Sequence, residues 1–137
     1  MADCVFCAIV TGAVPAFRVA DEQAGTAFLD IRPVFKGHVL VVPRAHVDDL
    51  PGLPAEELPG FFALVQRIAT AVPAALGCGG TFVAMNNVVS QSVPHLHAHV
   101  VPRTKGDGLR GFFWPRHRYA DDDEAAAYAT RIAAALG

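Results

Sequence analysis

The sequence predicts an α+β fold with an antiparallel sheet, for three reasons. Several short segments alternate or run apolar with β-branched residues between Gly and Pro punctuation. Two longer stretches repeat apolar residues at helical steps. Strands and helices also follow one another without a regular β-α-β alternation. The strand candidates are 24–30 (AGTAFLD), after an Asp21-Glu22-Gln23 turn, then 37–43 (GHVLVVP), 81–86 (TFVAMN) and 95–101 (HLHAHVV). Between the second and third lies the long helical stretch 55–76. There Leu58, Phe61, Phe62, Val65, Ile68, Ala69, Val72 and Leu76 recur at three- and four-residue steps. Pro59 suits a first turn, Pro73 should disturb the last one, and Gly77 should end the helix. A second helix is expected from about Asp122 to Leu136, opened by Asp121 and Glu124 as a capping pair. Gly106-Asp107-Gly108 and 111–118 (GFFWPRHR) read as loop.

Composition bounds the classes of function. The 137 residues fit one domain, with a core supported by 53% hydrophobic residues and a mean hydropathy of +0.34. Only 18% of residues are charged and the net charge is −2, which excludes a mainly disordered chain. The same balance argues against a dedicated nucleic-acid binder or an anionic-membrane binder. Three cysteines make an odd count, unlike a disulfide scaffold. No targeting segment is visible at the first residues, so a reducing cytoplasm is the expected location.

Chemistry concentrates in 91–103 (QSVPHLHAHVVPR). On an extended strand His95, His97 and His99 share one face at about 6.7 Å intervals. The opposite face, Leu96, Ala98 and Val100, can pack on a helix. A neutral imidazole is a nucleophile and, when protonated, a general acid near neutral pH. Neighbouring rings could therefore attack a phosphorus atom and assist the departing group. A metal-binding tract or a satisfied polar strand would carry the same spacing. Cys4-x-x-Cys7 is likewise open to three readings: half of a metal site, a redox pair, or two inert thiols.

The flanks narrow these choices. H-x-H-x-H followed by two apolar residues at 95–101 resembles the signature of the histidine triad (HIT) family. So do, in the family's order, Cys4–Val10, Phe28-Leu29-Asp30-Ile31, Gly37–His46 and Asn86-Asn87. The likeness is to the Hint-like bacterial branch. It implies a single HIT domain over 1–137, with a sheet of about five antiparallel strands, one long helix and a C-terminal helix.

The resemblance further implies a hydrolase or nucleotidyl transferase. It would act at the α-phosphorus of nucleoside phosphoramidates or dinucleoside polyphosphates through a nucleotidyl-histidine intermediate, and release a nucleoside monophosphate. His97 would be the nucleophile. His99 would contact the phosphate and assist proton transfer to the leaving group, His38 would support a triad ring, and Ser92 would donate to phosphoryl oxygens. Asp30 would accept from the ribose hydroxyls. Phe6, Ile9, Phe28 and Ile31 would wall the base, and Asn86 and Gln91 would stand on the phosphate side. Ser90 occupies a place where the family commonly has glycine. Cys4, Cys7, His46 and His95 would hold a structural zinc. A homodimer is expected, with Phe112, Phe113 and Trp114 reaching toward the other subunit's pocket. The competing class is a catalytically weak nucleotide-binding module with the same zinc, set back by the intact nucleophile.

Overall fold

The computed structural model describes residues 3–110 and 115–137. Two compact units divide the chain, 1–107 and 108–137. The first holds helix α1 (Val5–Thr11), strands β1 (Arg18–Glu22), β2 (Gly25–Leu29) and β3 (Val39–Val42), helix α2 (Leu58–Leu76), and strands β4 (Gly80–Ala84) and β5 (Ala98–Arg103). The five strands form one antiparallel sheet in the order β1-β2-β3-β5-β4. The second unit carries helix α3 (Asp122–Ala135). Asp121 there accepts from the Glu124 amide at 2.8 Å, and the Glu124 carboxylate accepts from the Ala120 amide at 2.8 Å, as a capping pair should. Phe112, Phe113 and Trp114 lie outside the described residues.

The alternation of side chains along each strand sorts the core into two layers. Ala27, Val39, Val41, Ala98 and Val100 face α2 and pack with its Phe61, Leu64, Val65, Ile68 and Val72. Phe28, Leu40 and Val42 face the other way and pack with Phe6, Ile9 and Val10 of α1. Leu40 is opposite His99 in the β3–β5 register, so the triad shares the α1 layer while Ala98 and Val100 serve the α2 layer.

Several local expectations need correction. Asp21 and Glu22 belong to β1, and the turn is at 23–24, because the exposed strand is held by ion pairs rather than apolar alternation. Asp21 pairs with Arg44 at 2.5 Å and Glu22 with Arg67 at 2.8 Å. In α2 the core position is Leu64, while Phe62 and Leu76 are exposed. Gly77 ends α2 in the left-handed conformation at φ 70°, and its amide bonds the Pro73 carbonyl. By length and composition 55–76 is apolar enough to cross a membrane. One face of α2 nonetheless packs on the sheet.

Candidate functional site

His95 and His97 precede β5 and only His99 lies within it, yet the residues between and after them, Leu96, Ala98 and Val100, all pack in the α2 layer. The environments of the three histidines then diverge.

His95 is wholly buried and turns Nδ1 toward the N-terminus of α1, 3.4 Å from the Cys4 sulfur and 3.5 Å from that of Cys7. His46 brings its Nδ1 to 3.3 Å from Cys7. The donor atoms of Cys4, Cys7, His46 and His95 all lie within 4.8 Å of one another, a group able to hold one metal ion. Local structure explains the cysteine spacing. Cys4 is the N-cap of α1 and its sulfur accepts from the Cys7 amide, so the three-residue step puts both thiols at the helix start. Outer partners fix both imidazoles. A carbonyl can only accept, so His95 donates Nε2–H to the Pro43 oxygen at 3.0 Å. His46 donates Nε2–H to the Asp48 carboxylate at 2.9 Å. Both Nδ1 lone pairs are thereby left to face the sulfurs, the pattern in which outer hydrogen bonds orient metal ligands. Burial, then the neighbouring Cys4 sulfur, pushes the Cys7 thiol up. A cation among these donors would reverse that direction.

His97 and His99 stand 4.9 Å apart between ring centres and line a cleft of about 570 Å³. His97 donates Nδ1–H to the carbonyl of His95 at 2.8 Å, which leaves its lone pair on Nε2. His99 is set by a longer chain. The Val34 amide can only donate, so His38 accepts it at Nδ1 over 3.1 Å and carries its proton on Nε2. That proton is donated to Nδ1 of His99 over 2.9 Å, so His99 presents Nε2–H. Burial, then His97, then His38, holds His99 down to about 4, so the ring is neutral at pH 7. His38 is lowered as well, by burial first, against the pull of Asp30, whose carboxylate lies 3.8 Å from Nδ1.

Asp30 directly follows β2 where the chain turns, and its carboxylate accepts from the Arg32 amide at 2.9 Å. With Phe6, Ile9, Phe28, Ile31 and Ser92 it lines the same cleft as His97 and His99. Eight of the expected residues therefore converge, and His38 stands directly behind His99. Asn86 and Gln91 do not line it. Gln91 instead braces the preceding loop, accepting from the Val88 amide at 3.0 Å and donating to the Asp48 carbonyl at 2.5 Å. Asn86 donates to the Ser90 carbonyl at 3.1 Å. Val88 and Ser90 sit at φ 69° and 62°, so the left-handed backbone gives a physical reason for glycine at the Ser90 place. Sequence reasoning missed Arg32 on the cleft wall, the Val34 amide behind His38 and Asp48 behind His46. The last two act through chain folding and carry no motif of their own.

A family model described as the HIT domain matches residues 11–106. The chain is 32% identical over 122 residues to the adenosine 5′-monophosphoramidase of Schizosaccharomyces pombe, covering 88% of this chain and 89% of that one. A HIT-family structure from Bacillus subtilis superposes with a TM-score of 0.88 at 35% identity, over 98% of both chains. A zinc-bound histidine triad protein from Mycobacterium smegmatis superposes at 0.74 with 40% identity, covering 97% of this chain and 98% of that one. The protein belongs to the histidine triad (HIT) family.

Proposed function

We propose that the protein is a nucleotide hydrolase. It cleaves nucleoside 5′-phosphoramidates, or dinucleoside polyphosphates, at the α-phosphorus and releases a nucleoside monophosphate. One observation carries this reading: the His97 ring is held by its Nδ1–H bond so that a lone pair remains on Nε2 inside a nucleotide-sized cleft. The likeness to a protein named adenosine 5′-monophosphoramidase supports it.

In this mechanism the Nε2 pair of His97 forms a bond to the α-phosphorus. The P–N pair departs with the amine, which takes its proton from solvent. Water then attacks the nucleotidyl-histidine, restoring His97 and freeing the monophosphate. His99, neutral at working pH, acts as a fixed Nε2–H donor to the phosphoryl oxygen or departing atom rather than as a reservoir of mobile protons. Ser92 donates to the phosphoryl oxygens. Asp30 accepts from the ribose hydroxyls, and Phe6, Ile9, Phe28 and Ile31 sandwich the base.

The four-residue cluster suits zinc held tetrahedrally. Sulfur and nitrogen ligands at ordinary zinc distances would stand about 3.5 Å apart, close to the 3.3–3.5 Å separations of the cysteine sulfurs and Nδ1 atoms. Bound there, zinc would tie the α1 N-terminus to the histidine row and leave the reaction to the side chains. The same reading takes the protein to be a cytoplasmic homodimer, with the outer edge of β4 as the seam.

The test is release of AMP from adenosine 5′-phosphoramidate by the wild type and by His97→Ala. Turnover that the substitution abolishes is the expected result. An active His97→Ala enzyme would remove the covalent route.

A further inference from the structure

The cleft has few polar side chains. Among the described residues that line it, besides Asp30, Ser92, His97 and His99 only Arg32 contributes one, and the remaining wall is Phe6, Ile9, Val14, Pro15, Phe28 and their apolar neighbours. If the first four serve phosphate and ribose as proposed above, on which this inference rests, Arg32 is the one described side chain left that is able to read the edge of the base. Arg32 is exposed at the rim and is set apart in another way. Within 3–107 the other arginines are paired: Arg18 and Arg44 with Asp21, Arg67 with Glu22, and Arg103 with Asp107. Among the described residues Arg32 alone of these arginines makes no ion pair with a carboxylate. Its backbone amide, not its guanidinium, bonds Asp30.

A guanidinium offers donors only. The outer edge of guanine or hypoxanthine presents two acceptors, O6 and N7, whereas adenine presents N7 beside an N6 donor that Arg cannot satisfy. We propose that Arg32 is a specificity-determining residue that makes the cleft prefer 6-oxopurine nucleotides over adenine nucleotides.

The experiment compares kcat/KM for guanosine, inosine and adenosine 5′-phosphoramidates on the full chain, together with GMP and AMP dissociation constants. The wild type should favour guanosine and inosine over adenosine by about fivefold to tenfold, the lower range for a bidentate contact at a solvent-open rim. Arg32→Ala should bring the ratio near one. Arg32→Gln, whose amide carries both a donor and an acceptor, should invert it toward adenosine. A role in folding alone would not carry the ratio past one in Arg32→Gln. Equal wild-type ratios, a ratio unchanged in Arg32→Ala, or inosine behaving as adenosine would each overturn the inference. Failure of every phosphoramidate to turn over would remove the proposed function. GMP binding more tightly than AMP in the wild type only would still uphold the role of Arg32, and equal binding would overturn it.

Discussion

His95 and His97 are two residues apart and both buried, yet they present opposite ring nitrogens. His95 spends Nε2–H on the Pro43 carbonyl and turns the Nδ1 pair to two sulfurs. His97 spends Nδ1–H on the carbonyl of His95 itself and keeps the Nε2 pair for the cleft. What separates the proposed metal ligand from the proposed nucleophile is thus which backbone oxygen each ring meets. The shared carbonyl also joins the two ends, since movement of the His95 backbone would turn the His97 ring.

The sharpest break of the comparison is to remove one ring at a time. His97→Ala should lower nucleoside monophosphate release by about a thousandfold or more while the bound metal persists. Parallel rate and metal-content measurements check this. His95→Ala should do the converse first. Metal content should fall, and the thermal midpoint should drop by about 10 °C, since metal binding to a folded site is folding free energy. Calorimetry with and without a chelator reads the difference, and a chelator should destabilise the wild type but not the variant.

A smaller effect tests the chain behind His99. His38→Ala removes the donor that fixes the Nδ1 side of His99 and should cost about tenfold to a hundredfold in kcat with less change in KM. Equal losses in both would point to a general distortion of the cleft.

The smallest effect is on pH. His99 is held to about 4 in the folded protein against 6.5 ordinarily. Between these values the unfolded chain binds a proton that the native ring refuses, so stability falls as pH drops from 6.5 toward 4. His38, also lowered, acts in the same direction. The thermal midpoint of His99→Gln should depend less steeply on pH across that window than that of the wild type.

Much of the molecule was legible in advance because it depends on short-range periodicity. The 3.6-residue recurrence at 58–76 located α2, and the alternation around His97 and His99 assigned Ala98 and Val100 to the helix-facing layer before any fold was in hand. The acid pair at 121 and 124 located the start of α3 in the same local way. The α1 helix and β1 were not visible: one is a seven-residue element capped by a cysteine, and the other is an exposed edge held by Arg44, two residues past β3, and by Arg67 of α2. Residue types and spacing likewise singled out His95, His97, His99 and the Cys4–Cys7 pair, while Asp30, His38 and His46 entered only through the resemblance to the family. Only the tertiary structure decided which nitrogen each histidine exposes, that Gln91 braces a left-handed loop, and that Arg32 stands on the cleft wall. Those properties depend on partners such as Pro43, Val34 and Asp48, which are distant in sequence or too common in type to form a motif, and hydrogen-bond direction is settled only when the atoms meet.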